Sequence, residues 1–523
     1  MGIKLGKIEI MDTTLRDGEQ TSGVSFVPHE KLMIARMLLK KLKVDRIEVA
    51  SARVSEGELE AVRLICNWAA KHDVLRRVEV LGFVDEHTSV DWIYSTSCRV
   101  INLLCKGSEK HCKYQLKKTV EEHLSDIRRV IDYAHSKDMD VNVYLEDWSN
   151  GVKDSPSYVF TFMDGLLDAG VKRFMLPDTL GILNPLSALQ YMRKMVDRYP
   201  DVHFDFHAHN DYDLAVGNSI AAVQAGCKGL HTTINGLGER AGNAPLASIQ
   251  ANLNDQMNVE TNIDESQLYE ASLVVSSYSG IAIAPNRPIV GESVFTQVAG
   301  VHADGDNKKN LYCNELLPER FGRRREYALG KNSGKANIRK NLEDLGLDLD
   351  EVSMRKVTDR IIELGDKKET VSQEDLPYIV ADVLKHSITT EKVILKSYIV
   401  NLAHGLKPMA TLKIDINGQE FEESSSGDGQ YDAFVRALRN IYKKTLGRKF
   451  PMLTNYVVSI PPGGRTDALV QTVISWSFEG REFRTRGLDA DQTEAAIKAT
   501  VKMLNMIEDE YANGENMYAS DEL

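Results

Sequence analysis

Two hydrophobic periods alternate along the first half of the chain. Short runs in which every second position is apolar, or in which apolar residues are nearly continuous, read as strands. One opens at Ile8-Glu9-Ile10-Met11, and others fall at residues 46–50, 78–81, 100–104, 141–145, 173–176, 203–206 and 229–233. Between them, apolar residues recur three and four apart. In the segment 30–43, for example, they are Leu32, Ile34, Met37, Leu38 and Leu42. That spacing predicts amphipathic helices at 30–43, 56–71, 87–96, 118–138, 157–169, 186–198, 212–226 and 244–254. Strict β/α alternation demands a parallel sheet. Eight such units predict a closed (β/α)₈ TIM barrel, with an open doubly wound sheet as the alternative. The open sheet lacks its expected glycine-rich fingerprint after the first strand. Gly236-Leu237-Gly238 follows the last strand and has no third glycine at the required spacing.

The alternation stops near residue 264. Pro285-Asn286-Arg287-Pro288 and the stretch 300–307 read as loops, so 264–330 is expected to be a connecting subdomain. Residues 331–390 are polar with short helical patterns. From 391 strands return at 393–400 and 410–416, followed by a helix at 431–445. The plan repeats with strands at 456–460 and 468–478 and a helix at 491–506. Glycine and acidic residues precede both helices, at Gly427-Asp428-Gly429 and Gly487-Leu488-Asp489. The sequence therefore predicts four parts: a barrel over 1–263, connecting segments over 264–330 and 331–390, and a tandem β-β-α domain over 391–523. Residues from 508 onward read as a frayed acidic tail.

Composition narrows the class. The 523 residues are 42% hydrophobic and 27% charged, as expected of a folded soluble protein. A net charge of −12 disfavours nucleic acid or an anionic membrane as partner, since both require basic surface. No apolar run reaches the ~20 residues of a membrane span, and no signal peptide is visible. Six cysteines without a C-x-x-C pair point to reduced thiols in the cytoplasm and no cysteine metal site.

The chemistry gathers where strands end, because the carboxyl end of a barrel sheet carries the active site. His207 and His209, two apart at the end of the seventh strand, face the same side. Two structural histidines explain an isolated H-x-H about as well as a metal pair does. Position decides for metal: Asp17 follows the first strand and Asn243 the eighth, and these strands are neighbours in a closed barrel. Two nitrogens and two oxygens suit Mg²⁺, Mn²⁺ or Zn²⁺. Arg16 beside Asp17 reads as an anion clamp, against a salt bridge that merely closes the barrel end. The Thr179 hydroxyl is either a donor to a bound carboxylate or part of a capping turn. Glu146 and Asp147, after the fifth strand, offer a general base or a solvated pair. His302, outside the barrel, reads as structural on its own residues.

Three motifs occur together and in order: Thr14-Leu15-Arg16-Asp17-Gly18-Glu19-Gln20, His207-x-His209-Asn210-Asp211, and Asn235-Gly236-x-Gly238-Glu239-Arg240-x-Gly242-Asn243. With them the chain resembles the metal-dependent Claisen-type synthases, a family that includes 2-isopropylmalate, homocitrate and citramalate synthases. The resemblance extends to 391–506, which looks like that family's regulatory domain. It implies that a 2-oxo acid chelates the metal, that Arg16 and Thr179 hold its carboxylate, and that acetyl-CoA is the cosubstrate. It further implies Glu146 as base or its partner, with His302 and Tyr312 assisting from the connecting subdomain. Tyr144, Leu81 and Leu104 form a bulky wall that favours pyruvate over 2-oxoisovalerate, and several segments resemble the pyruvate-using citramalate synthases. Isoleucine is the effector the resemblance implies, held at a homodimer interface with Tyr431, Asp432, Leu453, Tyr456 and Gln492 as contacts. The alternatives are 2-isopropylmalate synthase and, from another class, a metal-free amino-acid sensor with a vestigial barrel.

Overall fold

In the computed structural model of the protein, eight parallel strands close on themselves. They are β1 (Glu9–Asp12), β2 (Arg46–Ser51), β3 (Val78–Phe83), β4 (Val100–Lys106), β5 (Asp140–Glu146), β6 (Arg173–Asp178), β7 (His203–Ala208) and β8 (Gly229–Thr232). Each pairs with the next, and β8 pairs back onto β1 with Glu9 opposite Gly229. The structure describes residues 6–171, 173–299, 305, 311–345, 347–366, 371, 376, 379–380, 383, 392–459, 470–479 and 481–512. The chain divides into two compact units. One is Met1–Thr296 with Cys313–Glu326, and the other is Gln297–Tyr312 with Tyr327–Leu523.

The first unit is the TIM barrel. Its helices start where side chains supply backbone partners. At the helix Val120–Ser136, the Thr119 hydroxyl accepts from Glu122 N–H at 3.2 Å, and the Glu122 carboxylate accepts from Thr119 N–H at 2.8 Å. This reciprocal cap is worth ~1 kcal/mol and explains why the helix begins there. A further helix, Leu268–Ser279, lies where the sequence pattern loses its alternation, and it ends at Gly280 with φ 71°.

Side chains inside the barrel stack in layers. At the amino end, the Arg46 guanidinium meets Glu79 at 3.0 Å and Asp205 at 2.5 Å, while Arg173 meets Asp205 at 3.2 Å and Glu9 at 2.9 Å. Further up, Asn142 donates to Asn102 at 3.0 Å and Asn102 donates to Glu48 at 2.8 Å. An apolar layer of Met11, Leu81, Tyr144 and Met175, with Leu104 against it, lies on the same inner face. The functional side chains stand above that layer, at the carboxyl ends of the strands.

In the second unit, helices Lys335–Asp344 and Glu351–Asp366 share a core that includes Ile338, Leu342, Val357 and Ile361. Beyond two short strands, β9 (Thr296–Gln297) and β10 (Glu326–Tyr327), the tandem repeat begins. The first copy is β11 (Val393–Asn401), β12 (Met409–Ile416), β13 (Gln419–Ser426) and the helix Gln430–Asn440. The second is β14 (Met452–Ser459), β15 (Val470–Phe478), β16 (Arg481–Asp489) and the helix Gln492–Ala512. Both sheets are antiparallel, and one core takes Leu412, Phe434 and Leu438 from the first copy and Ile474, Trp476 and Met503 from the second.

Each copy carries a third strand that a β-β-α unit does not contain. Strand β13 is Gln-Glu-Phe-Glu-Glu-Ser-Ser-Ser, with alternate residues exposed, so it offers almost no apolar period. Its turn signal is Asn417-Gly418, with φ 54° and 83°, the left-handed pair that a tight hairpin needs. The expectation of a frayed tail from 508 is also corrected, since the last helix runs to Ala512. Glu508 is buried there because Arg448 meets its carboxylate at 2.7 Å and Asn417 donates to it at 2.6 Å.

Candidate active site at the barrel mouth

After β1 the chain turns so tightly that Thr13 C=O accepts from the N–H groups of Asp17 and Gly18, at 2.9 and 3.0 Å. This turn brings Asp17 to the end of β7. Its carboxylate lies 3.1 Å from His207 Nε2, which lies 3.3 Å from His209 Nε2. Asp17, His207 and His209 are buried, and each offers a ligand atom within 4.8 Å of the others.

Asn243 reaches the same place through the loop after β8. His209 and Asn243 form an antiparallel bridge. The loop returns on glycines: at Gly242 (φ 87°) a Cβ would sit 2.0 Å from the Gly236 carbonyl, and at Gly238 (φ 155°) 2.2 Å from the Asn243 amide. A side chain at Gly238 pushes Asn243 away, and one at Gly242 pushes off the Gly236 carbonyl, which accounts for the glycines of the third motif. Thr21 clasps Gly238 from the β1 side, accepting its N–H at 2.8 Å. Arg240 ties the β7 and β6 ends together, meeting Asp211 at 2.7 Å and donating to the Thr179 carbonyl at 2.8 Å.

The donor set fits a divalent cation. Asp17 Oδ1, His207 Nδ1, His209 Nδ1 and Asn243 Oδ1 are all buried without a hydrogen-bond partner among the described residues. Orphaned polar atoms of this kind are rare in folded proteins and call for a ligand. Burial alone would raise the Asp17 carboxyl, yet Arg16 and the two imidazoles hold it well below the carboxylate range. Burial, then His207, pushes His209 down to about 4, so its ring is neutral and its lone pair available.

Arg16 is fixed on three sides. Nε donates to Glu48 at 2.6 Å, Nη1 lies 3.0 Å from Asp17, and Nη2 donates to the Tyr144 hydroxyl at 3.3 Å. Tyr144 is buried, with Leu81 and Leu104 beside it. Burial, then Glu48, keeps its phenol protonated far above the ordinary range. The Thr179 hydroxyl accepts from Asp147 N–H at 2.9 Å. Asp147 itself turns away from solvent, with φ 65°, accepting from Ser108 at 2.7 Å and Asn150 at 2.8 Å. Glu146 is half-buried and ion-paired with Lys106. Glu19 accepts from Phe26 N–H at 2.8 Å and meets the buried Lys31 ammonium at 2.6 Å, which makes it an anchor of the β1 loop.

The other residues singled out in the sequence lie in the second unit or outside the description. Tyr312 is exposed and belongs to the second unit, whereas His302 lies outside the described residues. The Tyr431 and Tyr456 rings lie 5.3 Å apart, and the Gln492 side chain reaches the Tyr456 hydroxyl. Asp432 meets Arg436 at 2.8 Å, and Leu453 is half-exposed. Three further side chains at the barrel interior escape sequence reasoning: Glu48, Lys106 and His231. Their signal is parity. Lys106 is in register with Glu146 and His231 with His207, whereas Glu48 pairs with Glu79, which lies two residues before Leu81.

Family models place this architecture. Residues 7–275 match an HMGL-like domain, 289–369 a homocitrate synthase post-HMGL domain-like segment, and 370–508 a LeuA allosteric (dimerisation) domain. A 2-isopropylmalate synthase of Methanocaldococcus jannaschii is 34% identical over 508 residues, covering 96% of this chain and 95% of that protein. An (R)-citramalate synthase of the same organism is 32% identical over 504 residues, covering 96% of this chain and 99% of that protein. The chain belongs to the Claisen-type synthase family that holds the citramalate and 2-isopropylmalate synthases. No helix among the described residues is long and apolar enough to cross a membrane.

Proposed function

We propose that this chain is a citramalate synthase, which joins pyruvate to acetyl-CoA and hydrolyses the thioester to citramalate and CoA. One observation carries the choice of acceptor. The Tyr144 ring, held by its hydroxyl and flanked by Leu81 and Leu104, stands directly beside the Arg16 guanidinium. A rigid ring at that point leaves room for a methyl group and rejects a branched chain by clash.

Asp17, His207, His209 and Asn243 hold a divalent cation, Mn²⁺, Mg²⁺ or Zn²⁺, which supplies Lewis-acid polarisation of the acceptor's keto group. Arg16 carries five N–H donors, and its three described partners use one on each nitrogen. Two remain for the acceptor's carboxylate. The Thr179 hydroxyl accepts from the backbone, so its own proton is available to the same carboxylate. Glu146 is the base that removes a methyl proton from acetyl-CoA, and His302 and Tyr312 assist. The division of the chain at 263, 330 and 390 belongs to the same proposal, as do a cytoplasmic homodimer and feedback inhibition by isoleucine in isoleucine biosynthesis. The Tyr431–Tyr456 contact between the two repeat copies supports an effector site there, with Asp432, Leu453 and Gln492 around it.

The test is release of CoA from acetyl-CoA with pyruvate or with 2-oxoisovalerate, with and without EDTA. Faster turnover with pyruvate, abolished by EDTA and restored by Mn²⁺, is the expected result. Faster turnover with 2-oxoisovalerate establishes a 2-isopropylmalate synthase instead. No turnover with either, despite added Mn²⁺, leaves an amino-acid sensor.

A further inference from the structure

The inner face of the barrel between β4 and β5 is a ladder of three rungs. Asn102 stands opposite Asn142, Leu104 opposite Tyr144, and Lys106 opposite Glu146. Side chains two apart on a strand share a face, so each rung lies one layer nearer the mouth than the last. The lowest rung is a hydrogen-bonded amide pair, and the middle rung walls the acceptor pocket. The top rung is an ion pair between the Lys106 ammonium and the Glu146 carboxylate.

Lys106 is unusual for a lysine at a strand end. Its side chain is only 11% exposed, and its backbone is fastened on both sides. Its N–H donates to His123 Nε2 at 3.1 Å, and its C=O accepts from Tyr158 at 2.8 Å. The next residue, Gly107, donates to the Glu146 carbonyl at 2.7 Å, and a Cβ on Gly107 would lie 2.5 Å from the Leu145 carbonyl. The chain here has little freedom, and the ammonium is aimed at one place. A lysine kept only for solubility or a surface ion pair needs none of this.

We propose that Lys106 is a catalytic residue: it donates to the thioester oxygen of acetyl-CoA while Glu146 removes the methyl proton. This rests on the acetyl-CoA reading of the site. Proton abstraction next to a carbonyl moves charge onto oxygen. The C–H bond breaks, its electron pair forms the C=C bond, the carbonyl π pair moves onto oxygen, and the proton ends on the Glu146 carboxylate. A base and a cationic donor in mutual contact, facing the same space, suit the two ends of that four-atom H–C–C=O unit. The ammonium has three N–H donors, and Glu146 takes one in the described structure. Two remain to follow the developing oxyanion. The placement above the Leu104–Tyr144 rung also sets the order of layers: acceptor below, thioester above.

The experiment compares binding of free CoA with binding of carboxymethyl-CoA, which carries a planar anion in place of the enolate. Both are titrated calorimetrically into the wild-type chain, Lys106→Met and Lys106→Gln, each with saturating Mn²⁺ and pyruvate. Lys106→Met is expected to weaken carboxymethyl-CoA by about 100-fold, the scale of losing one oxyanion donor, while free CoA binding is unchanged. Lys106→Gln, which keeps a neutral donor, falls between. In turnover, Lys106→Met is expected to lower kcat with an unchanged KM for pyruvate and to raise the isotope effect with deuterated acetyl-CoA. Equal weakening of CoA and carboxymethyl-CoA, or of neither, overturns the role of Lys106 alone. Failure of the wild-type chain to bind CoA at all overturns the acetyl-CoA reading instead.

Discussion

The Tyr144 hydroxyl lies 3.1 Å from His231 Nδ1, and His231 Nε2 lies 3.2 Å from the Asp205 carboxylate. Burial would raise Asp205, but Arg46, His203 and His231 hold it well below the carboxylate range, so it accepts. His231 therefore carries its proton on Nε2, and burial keeps the ring neutral by pushing it down to about 4. Nδ1 is then a bare acceptor, and the Tyr144 hydroxyl has two acceptors for its one proton, His231 Nδ1 at 3.1 Å and the Glu48 carboxylate at 3.3 Å. The phenol oxygen is left with lone pairs facing the Arg16 Nη2 donor. Replacing His231 with Leu removes one of the two acceptors of the Tyr144 hydroxyl and so loosens the ring. Melting should show a loss of about 1 kcal/mol, the net worth of one buried hydrogen bond, because Glu48 still accepts from the hydroxyl. The preference for pyruvate over 2-oxobutyrate, measured as a ratio of kcat/KM, should fall. Tyr144→Ala should lower it further, and an unchanged ratio in both variants excludes the ring as a selectivity wall.

A bound cation should stabilise the barrel. At a hundredfold excess over its Kd, a ligand that binds only the folded state adds ~2.7 kcal/mol. Thermal melting with Mn²⁺ should therefore rise relative to EDTA, and Asp17→Asn should remove most of the increment. An equal rise in Asp17→Asn places the ion elsewhere.

His123 sets a pH limit on stability. Burial, then Lys118, pushes it down to about 4 from an ordinary 6.5. Between those values the unfolded chain binds a proton that the folded chain does not. Stability should thus fall as pH drops from about 6.5 to about 4, and should be free of this contribution above that window. His123→Gln keeps an acceptor for Lys106 N–H without a titrating group. Its urea midpoint should fall less than that of the wild-type chain between pH 7 and pH 4.5.

The ionic layer at the amino end gives the steepest expected loss. Arg46→Met leaves Glu79 and Asp205 buried without their main cation. Removing one partner of a buried pair costs ~3–5 kcal/mol. Urea unfolding should show that loss, and a change under 1 kcal/mol would mean that Arg173 alone neutralises Asp205.

The effector reading makes its own demand. If isoleucine packs between Tyr431 and Tyr456, Tyr456→Ala removes contact worth ~1.4 kcal/mol, which raises the concentration for half inhibition about tenfold. Inhibition curves for isoleucine, leucine and valine decide it. Leucine as the stronger inhibitor points to the other branch of the family.

The barrel is legible in the sequence because every strand–helix unit shows its own period, and closure follows from counting them. The site is legible because Asp17, His207, His209 and Asn243 stand at the ends of strands that a closed barrel makes neighbours. Glu48, Lys106 and His231 are hidden for the opposite reason. They are polar residues inside strands that otherwise read as apolar, and their roles depend on register with distant strands, which periodicity does not contain. Strands β13 and β16 are hidden because their residues are largely polar and pair on one side only.

Pairing of the first barrel strand with the last has a consequence for synthesis of the protein. Asp17 leaves the ribosome early, whereas His207, His209 and Asn243 come more than half a barrel later. A nascent chain can assemble fragments of helix and sheet as it emerges. It has no complete cation site until β8 and its return loop have docked on β1. If these four residues hold an ion as proposed, its uptake waits on completion of the ring, and a bound ion then marks a chain whose barrel has been finished rather than one still being made.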